Sequence, residues 1–121
     1  VSGAFHTPLM KSAGIAFKTF LDEFNLKQAK IPVLSNFKGD FYGNEDDVKE
    51  ILSKHIYSTV QLSRCIEKLD TKEEDMNIVL GPGKAMASIL KQNKANGQTI
   101  IINSVEDYKS AVEILKERLN G

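Results

Sequence analysis

Met76-Asn77-Ile78-Val79-Leu80-Gly81-Pro82-Gly83-Lys84 is the stretch that decides the fold class. An apolar run from Met76 to Leu80 reads as a strand, and Gly81-Pro82-Gly83 ends it. A short helix is expected from about Lys84 to Gln92, then a turn at Asn96-Gly97. Thr99-Ile100-Ile101-Ile102 follows as another apolar strand. Continuous apolar strands separated by helices are the mark of a parallel sheet covered on both faces. The predicted class is α/β.

Towards the C-terminus, Ser104 with Asp107 three residues on resembles a capping box, although Asp is shorter than the usual Glu. The helix it opens has Val105, Tyr108, Ala111, Val112, Leu115 and Leu119 on one side, and Gly121 stands where a C-terminal cap falls. Towards the N-terminus, Thr7-Pro8 is a helix start, since Pro suits a first position that needs no amide donor. Leu9, Ala13, Phe17, Phe20, Leu21 and Phe24 then make an apolar stripe to about Phe24. Ile31-Pro32-Val33-Leu34-Ser35 reads as a strand, and Phe37 to Gly43 as a turn-rich loop. Asn44, followed by Glu45, Asp46 and Asp47, reads as a capped start with acids on the positive end of the dipole. Val48, Ile51, Leu52, His55 and Ile56 form that helix's inner stripe. A further helix is expected from about Thr59, with Leu62, Ile66 and Leu69 inward, before a charged loop from Asp70 to Asp75.

The order is helix, strand, two helices, strand, helix, strand, helix. Three strands make a thin sheet with two open edges, and the helices are too many for it. The chain also begins Val1-Ser2-Gly3, without an initiator Met, at what reads as the end of a strand. The expectation is a segment that wants more sheet beside it.

Composition narrows the function classes. The 121 residues are 41% hydrophobic, with 16 basic and 16 acidic side chains, which argues against a disordered tail and against the basic face of a nucleic-acid binder. There is no membrane-length apolar run and no signal-peptide pattern, so a soluble, cytoplasmic segment is expected. One cysteine and two histidines offer neither an internal disulfide nor zinc-ligand spacing.

Few residues could carry chemistry. His6 immediately precedes a helix start, whose positive end disfavours an imidazolium and keeps a neutral base at hand for nucleophilic acyl transfer. A histidine of no consequence is the commoner reading of such a position. Gly81 to Lys84 could bring backbone amides to an anion, with Lys84 adding charge. It lacks P-loop spacing, and a tight strand-to-helix turn explains both glycines equally well. His55 reads as a core histidine and Cys65 as a small core residue. Arg64 and Arg118, the two arginines, need no more than helix-surface roles.

Taken together, Val1-Ser2-Gly3-Ala4-Phe5-His6-Thr7-Pro8-Leu9-Met10 resembles the histidine motif of malonyl-CoA:acyl carrier protein transacylases and related acyltransferase domains. Val79-Leu80-Gly81-Pro82-Gly83-Lys84 resembles that family's late Gly-Pro-Gly-Lys turn. Ile31-Pro32-Val33-Leu34-Ser35-Asn36, between them, resembles its Pro-Val-(aliphatic)-Asn-Asn strand. The resemblance covers essentially the whole chain. Val79 departs from the acid often found there, and Thr59 and Leu62 from a Pro and an aromatic.

The resemblance implies a Ser-His acyltransferase. A serine takes malonyl from coenzyme A and passes it to the phosphopantetheine thiol of an acyl carrier protein, in fatty acid or polyketide biosynthesis. Coenzyme A enters as the substrate thioester, with no cofactor. His6 matches the base. His55 matches the position whose main-chain carbonyl orients that base, where the family often has Gln. Phe5 matches a bulky residue linked to malonyl over methylmalonyl selection, since its ring would crowd an α-methyl branch. The family's Gly-x-Ser-x-Gly nucleophile elbow is absent, and neither arginine matches the one that grips the malonyl carboxylate. The resemblance therefore implies the C-terminal part of an α/β hydrolase-like core, a short parallel sheet with flanking helices. Residues 1–6 would end a small ferredoxin-like subdomain, and 7–121 would be the C-terminal part of the large α/β subdomain. The expected partners are malonyl-CoA, the carrier protein and the N-terminal half of the same enzyme, with no nucleic acid and no membrane. Alone, the chain is expected to be inactive. The alternatives are a non-catalytic, carrier-protein interaction module of acyltransferase-like fold, and a small α/β phosphate-binding domain using Gly81 to Lys84.

Overall fold

The computed structural model describes residues 3–121; the strand end expected at Val1 and Ser2 lies outside them. The described chain is α/β and divides into two compact units, one running to Lys68 and the other Leu69–Gly121.

In the first unit the Thr7-Pro8 start is a single 3-10 turn, Pro8–Met10, leading into α1 (Lys11–Leu21). Thr7 does not cap with its side chain: its hydroxyl donates backwards to the Ala4 carbonyl at 2.7 Å. The helix ends three residues before Phe24, where Glu23 and Phe24 donate to the carbonyls of Phe20 and Leu21, the tighter bonding of a closing turn. β1 is only Leu34–Ser35 and pairs antiparallel with β2 (Asp40–Phe41), Leu34 opposite Phe41 and Ser35 opposite Asp40. This corrects the expectation of a parallel strand at Ile31 to Ser35, and of a plain loop after it. Gly39, at φ +67°, lets the intervening turn close, and its N–H donates to the Ser35 carbonyl at 2.8 Å. The strand's partner is thus its own continuation.

α2 (Val48–His55) is capped by Asp47 rather than Asn44, the Asp47 carboxylate accepting the Glu50 N–H at 3.0 Å. α3 (Leu62–Leu69) begins three residues later than Thr59. Its Cys65 is buried and donates its S–H to the Ser35 carbonyl at 3.4 Å. Burial, and secondarily the Asp40 charge, push the Cys65 thiol up from its ordinary value, so it packs as a thiol rather than acting as a nucleophile. α1 and α2 meet through Gly14, where the buried Ser53 hydroxyl donates to the Gly14 carbonyl at 2.7 Å. Leu21, Ile51, Cys65 and Ile66 make the core. Leu9, in the 3-10 turn, is 81% exposed, and Phe20 on α1 and Phe24 just beyond it are also exposed, because the apolar stripe from Leu9 to Phe24 is wider than the surface α2 covers.

In the second unit β3 (Met76–Leu80) and β4 (Gln98–Ile102) run parallel, from Met76 opposite Gln98 to Leu80 opposite Ile102. α4 (Ala85–Gln92) forms the crossover between them. Val79, Leu90 and Ala111 are buried, Ala111 at 1% exposure on α5 (Val105–Asn120). The capping box forms despite the short acid: Ser104 Oγ accepts the Asp107 N–H at 3.1 Å, and Asp107 Oδ2 accepts the N–H groups of Asn103 and Ser104 at 3.0 Å each. Val105, Tyr108 and Leu119, expected on the inner side of α5, are exposed, as is Leu80 in β3. Two strands offer α5 too narrow a floor to cover its whole stripe.

Candidate active site

His6 lies in the tight turn between Gly3 and the 3-10 helix, with φ +63°. A non-glycine residue in this left-handed region costs about 1–2 kcal/mol, so the surroundings must hold it there. Two hydrogen bonds do so, both to the C-terminal end of α2. The His6 backbone N–H donates to the Ile56 carbonyl at 2.8 Å, and ring Nδ1 lies 2.9 Å from the His55 carbonyl. The last carbonyls of a helix have no partner within it and carry the negative end of its dipole, so His6 completes the C-terminus of α2.

The geometry favours one tautomer of the neutral ring. A carbonyl only accepts, so Nδ1 carries the proton and donates it, and Nε2 of the neutral ring keeps its lone pair. His6 is exposed. An exposed imidazole with Nδ1 tied to the backbone and Nε2 without a protein partner among the described residues has the form of a general base awaiting an acidic proton.

The His55 side chain is also present at this site. Its ring centroid stands 5.0 Å from that of His6, with the two planes tilted by 37°. Its Nε2 is buried and has no hydrogen-bond partner among the described residues. Burial, and then the neighbouring His6 ring, hold its pKa below the ordinary histidine value, which keeps the ring neutral at pH 7. In the same unit His55, Leu52, Leu34, Ser35 and Asn36 line part of an open concavity of about 880 Å³.

Phe5 is half exposed and folds back over Gly3, where a side chain would meet the Phe5 ring at 3.1 Å. The structure therefore brings together three residues singled out in sequence: Phe5 and His6 in one turn, and His55 against His6. Sequence reading had considered the dipole of the helix that follows His6. The resemblance supplies the His55 carbonyl at the end of α2, but neither the Ile56 carbonyl nor the His55 ring beside it. The available signal was His55-Ile56 at the close of a capped helix, where free carbonyls must find donors.

Gly81 to Lys84 belongs to the second unit. Gly81 and Gly83 have φ of +125° and +90°, and no atom lies within 4 Å of where their side chains would begin. Backbone conformation, rather than close approach, requires these glycines. Among the described residues no group of three or more His, Cys, Asp or Glu side chains is placed to hold a metal ion, and no helix is long and apolar enough to cross a membrane.

No family model matches the chain. Individual proteins do. The malonyl CoA-acyl carrier protein transacylase of Bacillus subtilis is 36% identical over 117 residues, which is 97% of this chain and 37% of that protein. The Staphylococcus aureus protein of the same name is 31% identical over 109 residues, 90% of this chain and 35% of its own length. The crystal structure of malonyl CoA-acyl carrier protein transacylase from Clostridium perfringens matches with a TM-score of 0.87 at 25% identity, covering 98% of this chain and 37% of that one. In sequence and in fold, the chain is a homologue of the malonyl CoA-acyl carrier protein transacylases, spanning a little over a third of the length of these relatives.

Proposed function

We propose that this chain is the base-bearing, C-terminal portion of a malonyl-CoA:acyl carrier protein transacylase. The observation that carries the reading is the bond from His6 Nδ1–H to the main-chain carbonyl of His55, at 2.9 Å, which leaves Nε2 available. A serine from the N-terminal half would give its proton to His6 Nε2 as its oxygen attacks the malonyl thioester. The imidazolium then returns that proton to the departing coenzyme A sulfur. In the second half-reaction Nε2 takes the proton of the carrier-protein phosphopantetheine thiol, and the serine oxygen recovers it when malonyl leaves. At each stage the partial negative charge of the α2 carbonyls lies beside the ring whose charge rises and falls.

Phe5, next to His6, would stand beside the acyl group and exclude a branched one. On this reading residues 1–6 close a ferredoxin-like subdomain and 7–121 complete an α/β hydrolase-like core. The exposed apolar residues Leu9, Phe20, Leu80 and Val105 suit a chain that is covered by the rest of the enzyme. The setting this reading implies is a cytoplasmic enzyme of fatty acid or polyketide biosynthesis, with the coenzyme A thioester as substrate and no cofactor.

The test is malonyl transfer to a carrier protein by the chain mixed with a serine-bearing N-terminal half. Transfer by the mixture, reduced about 10²–10⁴-fold by His6→Ala, supports the reading. A folded mixture without activity favours the carrier-protein interaction module instead.

A further inference from the structure

We propose that the His55 imidazole, and not its carbonyl alone, is a positioning residue for His6, backing the ring so that it holds one tautomer and one plane. This rests on His6 being the base, and it goes further by giving the side chain of His55 a task separate from its main chain.

Three observations carry it. The His6 bond to the His55 carbonyl is made by an exposed group. An exposed bond of this kind biases an equilibrium by roughly two- to tenfold, too little to lock a ring that can turn about its own axis. The His55 ring stands 5.0 Å away at a 37° tilt, within the range of aromatic pairs, on a neighbour that already supplies the carbonyl. Finally, His55 Nε2 is buried with no partner among the described residues, so its polarity brings no hydrogen bond to the fold and calls for another explanation. Contact with His6 provides one: a flat, neutral ring on one side and the His55 carbonyl at Nδ1 confine the imidazole that the left-handed turn presents to solvent.

Histidine-detected nitrogen NMR tests this on the chain itself, at a pH about two units above the ordinary histidine value of about 6.5. The chain has two histidines, so in any His55 variant the remaining signals belong to His6. In the parent chain and in His55→Phe, which keeps a flat ring and the carbonyl, His6 is expected to show a single Nδ1-protonated signature. In His55→Ala, which keeps only the carbonyl, that signature should give way to exchange between the two tautomers. An unchanged His6 spectrum in a folded His55→Ala chain overturns the proposal, since the carbonyl then suffices. Loss of the signature in a folded His55→Phe chain overturns it too, because a flat ring is then not what matters. Should His55→Ala fail to fold, His55→Leu replaces it with the same expectation against His55→Phe. The readout involves no acyl transfer, so its outcome is separate from that of the transfer assay.

Discussion

Gly14→Ala probes the contact that places the end of α2 beneath His6. A methyl group at Gly14 would run into the Tyr57 ring, reaching Cε1 at 2.6 Å, and into the Ser53 carbonyl oxygen at 2.9 Å. The oxygen belongs to the backbone of α2 and cannot yield alone. The Tyr57 ring, two residues beyond His55, would have to move aside. Overpacking of this kind costs about 1–3 kcal/mol. Separating the helices also weakens the 2.7 Å bond from Ser53 to the Gly14 carbonyl, worth about 1 kcal/mol. Against this, replacing Gly by Ala inside a helix gains about 1 kcal/mol. The net expectation is a loss of about 1–3 kcal/mol, read from urea unfolding followed by circular dichroism. Ala16→Gly, at an exposed position of the same helix, isolates propensity and should cost about 1 kcal/mol. If Gly14→Ala proves as stable as the parent, or more so, while Ala16→Gly shows its loss, the close α1–α2 packing is wrong.

Three further outcomes follow from the same structure. Gly97→Ala should destabilise the second unit by about 2 kcal/mol or more in urea: Gly97 has φ +87°, and a methyl group would press on the Asp75 carbonyl group and lie 3.1 Å from the Lys72 oxygen. The Asp107 carboxyl is held below its ordinary value by the Asn103 N–H and then by Ser104, so its contribution is present above the unfolded pKa of 3.8 and lost as pH falls through the lower folded value. Asp107→Asn should therefore narrow the difference between urea midpoints measured at neutral and at acid pH. His55, lowered by burial and by His6, has the same sign: the unfolded chain binds the proton first, so stability is full above the ordinary value of 6.5 and falls as pH drops below it. His55→Gln should reduce the loss of urea midpoint between about pH 7.5 and about pH 5.5.

The second unit was the more legible in sequence, because its information is local. The apolar run at Met76 to Leu80, the glycine turn, the Asn96-Gly97 turn and the Ser104/Asp107 cap each declare themselves within a few residues, and β3, α4, β4 and α5 form within a residue or two of expectation. The first unit was harder. The strand at Ile31 to Ser35 depends on what lies beside it, and the present chain offers it Asp40 and Phe41 instead of a parallel neighbour. Asn44 and Asp47 were both able to cap, and only the path of the chain chooses between them. At the site, His6 stands out by its place before a helix start, while the roles of Phe5 and His55 come through resemblance, since nothing in local spacing connects residues 6 and 55. The Ile56 carbonyl and the tilted His55 ring were not legible, because both depend on how the turn at His6 meets the end of α2 in space.

The most direct test of the central claim is a single-turnover experiment. The chain is mixed with a serine-bearing N-terminal half and malonyl-CoA, without carrier protein, and the N-terminal half is weighed by mass spectrometry. The account predicts a malonyl adduct on that serine, formed with the parent chain and slowed by about 10²–10⁴-fold with His6→Ala. Equal rates of adduct formation with the parent chain and with His6→Ala would contradict it, because His6 would then not be the base.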